Sequence, residues 1–332
     1  MRKTGWTMAA LAMALAWALA SVPAMAAGPV LAGGVPTTGW ITLGTAGGPV
    51  ASPTRSQPAN ALVTPDGVYL VDCGDGCVEQ LAKAGIGLDR IKGLFISHLH
   101  YDHVGGVSAL LGLRHQTSNY APLPIYGPPG TQAMVDGLIA AMRPFTELGY
   151  GLPGVPSIDP ATTVRVTEMR GGESGALNGL RFANAQNTHY SFAPGSAEDA
   201  RFRSLAWRFE TGGRSYVFTG DTGPSQAVID LARGADVLIS EIIDLDATVG
   251  LVQRQNPNMS AQGKAGMLQH LSHHHLPAAE VGRMAQAAGV RQLVVTHYAP
   301  SNPSAALVAR MRAQIAARYH GPVVMARDVA RY

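Results

Sequence analysis

Short apolar runs punctuated by Gly, Pro and Asp mark the first third of the chain, at residues 40–44, 60–63, 68–72 and 94–97. Each is too short for a stable helix and reads as a strand, so this third is expected to be a β-meander. Helical periodicity appears at 78–84, at 131–142 after the turn Gly127-Pro128-Pro129-Gly130, and at 224–232, 278–288 and 304–317. Strand-like runs return at 180–185, 205–209, 216–219, 237–240 and 293–296. Strands followed by helices in each half predict an α/β fold of two mixed sheets packed together, with helices on their outer faces. Residues 145–160 and 246–266 read as long loops, which in a compact domain are more often lids or binding loops than linkers. No repeat of fixed period and no low-complexity tract stands out.

The N-terminus alters the domain picture. Arg2 and Lys3 precede an apolar stretch at about 8–22 and then Ala24-Met25-Ala26, the three regions of a secretory signal peptide. Its apolar run is shorter than the roughly 20 residues that a membrane span prefers. The expected organisation is a signal peptide over 1–26, removed on export, and one large domain over 27–332, in the periplasm or outside the cell and free of the membrane. Loss of Arg2 and Lys3 lowers the formal charge from +3 to about +1. No long Lys/Arg cluster remains, so a small-molecule substrate is expected and a nucleic-acid polymer is not. Export permits a disulfide between the two cysteines, Cys73 and Cys77. A ring that short is demanding, and a buried small residue at a strand end is equally ordinary, so both states stand open.

Chemistry concentrates at His98, Leu99, His100, Tyr101, Asp102 and His103, directly after the strand-like run 93–97. Three imidazoles and a carboxylate in one turn would each need a partner if buried. Neutral imidazole nitrogen and carboxylate oxygen are ligands of Zn²⁺ and similar ions, which makes metal binding the economical reading. Strand alternation would point His98 and His100 the same way, with Asp102 and His103 able to reach a second ion.

Three more residues close strand-like runs: His189, Asp221 and His297. With the 98–103 run, they resemble the metallo-β-lactamase superfamily over about residues 38–300. The resemblance implies an αββα sandwich whose ligands gather along one edge. It implies one ion on His98, His100 and His189, a second on Asp102, His103 and His297, and Asp221 bridging them. Such an ion pair shares a hydroxide and polarises the substrate oxygen. Asp102 has a second expected role, orienting or deprotonating that water. Zinc is the expected metal, with manganese and iron allowed by a mixed His/Asp shell.

The segments 236–241, 275–280 and 294–298 narrow the resemblance to the branch of ribonuclease Z, arylsulfatase and cyclic-nucleotide phosphodiesterase. There an acidic residue on a strand bonds a histidine at a helix start, and Glu241 and His275 match those positions. A carboxylate partner keeps an imidazole cationic, able to protonate a leaving alkoxide. The chain departs from the branch where Leu276-Pro277 follows His275, and in the 31 residues from His189 to Asp221, which carry no basic hairpin arm. Arg55 and Asn60, just before a core strand, are expected to face the substrate, Arg55 offering a fork for phosphate or sulfate.

The resulting expectation is an exported dinuclear metal-dependent hydrolase of small phosphodiesters or aryl sulfate esters, a homodimer being compatible. The rival is a lactonase or β-lactamase using the same metals, with Tyr190, Tyr298 or a backbone amide at the oxyanion. A non-catalytic metal-binding or adhesion protein is a third reading. His270, His273 and His274 have no assigned role.

Overall fold

The computed structural model describes residues 38–154 and 157–332; the expected signal peptide and its cleavage site lie outside them. Six strands open the described chain: β1 (Gly39–Gly44), β2 (Ala59–Thr64), β3 (Gly67–Cys73), β4 (Ile91–Phe95), β5 (Leu123–Gly127) and β6 (Val164–Glu168). Eight follow: β7 (Ser174–Leu177), β8 (Leu180–Gln186), β9 (Leu205–Thr211), β10 (Arg214–Phe218), β11 (Val237–Ile243), β12 (Gln292–Ala299), β13 (Val323–Met325) and β14 (Ala330–Arg331). They form two sheets, β14-β1-β2-β3-β4-β5-β6 and β13-β12-β11-β10-β9-β8-β7. Each has an antiparallel half and a parallel half, so both are mixed as expected.

Strand alternation builds the layers. Trp40, Tyr69, Phe95, Trp207, Phe209, Phe218, Ile239 and Val294 form the aromatic core that the two sheets share. The opposite faces carry aliphatic residues. Leu70, Leu94 and Ile125 pack with α1 (Cys77–Lys83), α3 (Val107–Gln116) and α4 (Thr131–Leu148). Leu238, Leu293 and Val295 pack with α6 (Gln226–Ala232), α9 (Ala278–Ala288) and α10 (Ala305–Ala316). The short helices α2 (Tyr101–Val104) and α5 (Ala197–Arg201) follow β4 and β8. The result is the expected αββα sandwich. Cys73 and Cys77 are joined in a disulfide. Among the described residues no helix is long and apolar enough to cross a membrane.

Two expected loops are corrected. The helix after Gly130 runs on to Leu148, with Pro144 inside it and Gly149 at its end at φ 52°. Most of 246–266 is helical, in α7 (Leu245–Gln255) and α8 (Ala261–His273). Side-chain oxygens cap both, Asp244 accepting from the Ala247 N–H and Ser260 from the Gly263 N–H. The two helices bury one residue between them, Thr248, so little apolar periodicity was imposed on their sequence.

Bulges at two strand ends aim the site. Asp72 is the extra residue of β3 between the partners of Ala59 and Asn60, at φ 58°. On β12, Thr296 and His297 stand opposite Glu241 alone, with His297 at φ 47°. A bulge interrupts alternation and turns a side chain that the pleat would place elsewhere.

Candidate metal centre

The turn between β4 and α2 delivers His98 and His100, and α2 delivers Asp102 and His103. Nε2 of His98 lies 3.1 Å from Nδ1 of His100, which lies 3.0 Å from Nε2 of His189. A second group forms beside it: Nε2 of His103 and of His297 are 3.2 Å apart, and Oδ2 of Asp102 is 3.5 and 3.6 Å from them. Ligand atoms held tetrahedrally at about 2.1 Å from an ion lie roughly 3.4 Å apart, so both groups have the spacing of a metal shell. Asp221 stands between them, its Oδ2 4.0 Å from His98, 3.4 Å from His103 and 3.1 Å from His297. Its Oδ1 is buried without a hydrogen-bond partner among the described residues. A metal ion held by that second oxygen would account for the orphan. All seven expected ligands therefore come together, and the donor set fits two divalent ions.

The outer nitrogens fix the tautomers. His103 Nδ1 donates to Asp72 Oδ2 at 2.8 Å, and His189 Nδ1 donates to the His274 carbonyl at 3.0 Å. The Ser97 hydroxyl donates to Asp72 at 2.7 Å, so it accepts from His98 Nδ1 at 3.0 Å. These bonds leave Nε2 of His98, His103 and His189 free as ligands. Burial drives His98 and His189 well below the ordinary imidazole range, and so keeps them neutral. At His103 and His297 burial works the same way, but the surrounding carboxylates outweigh it. His103 is held well above its ordinary value and His297 is raised to about 10. Asp102, resisted by burial but favoured by those two imidazoles, is lowered to about 2.

The Glu241 and His275 pair is present. His275 Nδ1 donates to Glu241 Oε2 at 2.6 Å, and Glu241 Oε1 accepts from the Thr222 N–H at 2.5 Å. The His275 ring lies 5.0 Å from that of His189 and 6.3 Å from that of His297, facing both groups. Burial opposes charge on His275, yet Glu241 raises it overall.

Two substrate expectations are corrected. Asn60 is buried in the core, accepting from Trp40 Nε1 at 3.2 Å and donating to the Val71 carbonyl at 3.3 Å, so the strand pleat turns it away from the metals. Arg55 donates to Thr45 Oγ1 at 2.6 Å, with its guanidinium 4.4 Å over the Tyr298 ring. It lines a cavity that contains none of the seven ligands. Tyr298, fully buried, donates to the Ala326 carbonyl and is no oxyanion donor. Tyr190 does border the site, its ring 5.6 Å from His100.

Sequence reasoning missed Asp72, an acidic residue closing an apolar strand, whose position was the only signal. It missed Gly48, whose N–H donates to Asp102 Oδ2 at 2.9 Å. It also left His270 without a role, although its ring lies 4.9 Å from His189.

The profile of the beta-lactamase superfamily domain matches residues 68–298. The ribonuclease Z of Mycolicibacterium paratuberculosis is 31% identical over 298 residues, covering 88% of this chain and 96% of that one. Among solved structures, the metallo-beta-lactamase fold protein YhfI of Bacillus subtilis superposes with a TM-score of 0.62 at 20% identity, over 89% of this chain and 98% of its own. The short form of human tRNase Z gives 0.57 at 22%, with the same two shares. These relatives correct the expectation that a nucleic-acid polymer is an unlikely partner, because the sequence relative is by name a ribonuclease. Net charge was a poor guide, since phosphate contacts depend on where cations sit.

Proposed function

Since the chain belongs to the beta-lactamase superfamily and is a metal-dependent hydrolase, we propose that it cleaves phosphodiester bonds with two zinc ions, RNA being among the substrates. The observation that carries this reading is the 2.6 Å bond between Glu241 and His275 beside both ligand groups. When bound, the ions supply an activated water and positive charge for the substrate oxygens. The protein's own residues do the rest. Glu241 fixes the His275 tautomer and holds its charge, so that Nε2 presents a proton to the departing alkoxide. Asp102, tethered by the Gly48 N–H, keeps a carboxylate where the attacking water must be oriented. Aryl sulfates are the next ester class that the same donors suit.

Hydrolysis of a matched set tests the reading: a chromogenic phosphodiester, an aryl sulfate, a lactone, a β-lactam and a short RNA, with His98→Ala as the blank. Preference for the phosphodiester or the RNA is expected. Preference for the lactone or lactam would overturn the substrate class and leave the Glu241–His275 pair structural.

The proposal includes export. The pattern over 2–26 and the Cys73–Cys77 pairing, which an oxidising compartment allows, support it. Cell fractionation with N-terminal sequencing is expected to find a chain beginning at Ala27 outside the cytoplasm. A cytoplasmic chain retaining Met1 would sink it.

A further inference from the structure

We propose that His270 is a substrate-binding residue that donates a hydrogen bond to a non-bridging phosphoryl oxygen, opposite the metal ligands. The proposal rests on the phosphodiesterase reading above. His270 sits in the last turn of α8, and none of the thirteen residues of that helix is fully buried. Core packing therefore does not explain why the helix lies where it does. His270 is half-buried because it turns toward the metal centre. Its ring is 4.9 Å from His189, 5.3 Å from His275 and 5.9 Å from His100. One nitrogen of each of His189, His270 and His275 falls within 4.8 Å of the other two.

The orientation of His270 is built. Its Nδ1 lies 2.9 Å from Nδ1 of His274, one helical turn on, and Nε2 of His274 is 2.5 Å from the Ser191 hydroxyl. The backbone carbonyl of His274 is the acceptor that fixes His189. A single residue thus ties α8, a metal ligand and the segment after β8 together. In the arrangement proposed, the Ser191 hydroxyl donates to His274 Nε2 and His274 Nδ1 donates to His270 Nδ1, which places the His270 proton on its free atom, Nε2.

With His98 and His100, His189 Nε2 would hold the first ion. The gap bounded by His189, His270 and His275 therefore separates an ion site from two imidazoles that are not in either predicted shell. A tetrahedral phosphoryl group offers several oxygens to such a gap, where a planar carbonyl offers one. His275 serves the leaving oxygen, and His270 serves one that stays on phosphorus.

The test uses the zinc-loaded full chain as wild type, His270→Ala and His270→Gln. Zinc content, calorimetric binding of inorganic phosphate, and kcat and KM on the chromogenic phosphodiester are measured for each. Loss of one hydrogen bond to a charged oxygen predicts phosphate binding about tenfold weaker in His270→Ala, with KM raised and two zinc ions retained. The Gln amide keeps a donor and is expected to recover most of the affinity. Zinc content falling below two would make His270 a metal ligand and overturn the proposal. Unchanged phosphate affinity, or equal losses in both variants, would overturn it as well. A wild type that ignores phosphodiesters refutes the functional reading, while the phosphate titration still decides His270.

Discussion

Oδ2 of Asp72 lies 2.8 Å from Nδ1 of His103, and the same carboxylate takes the backbone N–H and the hydroxyl of Ser97 at 2.7 Å each. Through Ser97 it also sets the ring of His98, so one buried carboxylate orients a ligand in each metal group. An amide offers only one acceptor oxygen and no charge for these three donors. Asp72→Asn is expected to weaken zinc affinity by about 10–100-fold, measured by competition with a chromophoric chelator. Unaltered affinity would reduce Asp72 to a packing residue.

Metal-free stability should depend on pH from both sides. Asp102, lowered from 3.8 to about 2, contributes stability present above pH 3.8 and lost as pH falls toward 2. His297, raised from 6.5 to about 10, contributes stability present below pH 6.5 and lost as pH rises toward 10. His98 and His189, held well below 6.5 by burial, start the acid limb already below that pH, so calorimetric Tm in chelator is expected to peak near pH 6.5. Zinc should flatten the alkaline limb, because the ion replaces the proton as partner of His297. A Tm of the chelated protein that stays level above pH 6.5 would contradict this coupling.

Gly48 is a contact point, and its freedom from a side chain is used. A Cβ there would lie 2.1 Å from Oδ2 of Asp102, so Gly48→Ala must push the carboxylate aside. The expected outcome is a folded protein with near-normal far-ultraviolet circular dichroism, a weakened second zinc and at least tenfold lower kcat. Normal zinc content with normal turnover would show that the 45–50 loop yields instead.

His275→Ala should separate poor leaving groups from good ones. The Glu241 carboxylate raises His275, so its protonated form persists above pH 6.5 and wild-type turnover on an alkyl phosphodiester falls as pH rises beyond that. Loss of a general acid lowers turnover on that substrate by about 10²–10⁴-fold and removes the alkaline limb, while a nitrophenyl ester suffers far less. Equal losses on both substrates would assign His275 to binding alone.

The candidate ligand set was legible because metal chemistry restricts residue types, and because His189, Asp221 and His297 close strand-like runs that hydrophobic patterning makes visible. His98, His100, Asp102 and His103 are also neighbours in sequence, so their shared purpose shows without a fold. Asn60 was misjudged because proximity to a strand start does not say which face of the pleat it occupies. α7 and α8 were read as loop because helices that bury almost nothing leave almost no apolar period. RNA was set aside on net charge, a property of the whole chain rather than of a surface.

By itself the sequence determined the two-sheet sandwich, since alternation and strand length are local constraints written into residue type and spacing, and its resemblance to a known family named seven candidate ligands. Only the tertiary structure decided which side chains orient those ligands. Asp72 reaches His103 across 31 positions from a bulge in β3, and the His274 carbonyl reaches His189 across 85, and no local pattern encodes either contact. It likewise decided that His270 meets His189 and that Arg55 lies against Tyr298, because contacts of that kind follow from the packing of whole layers.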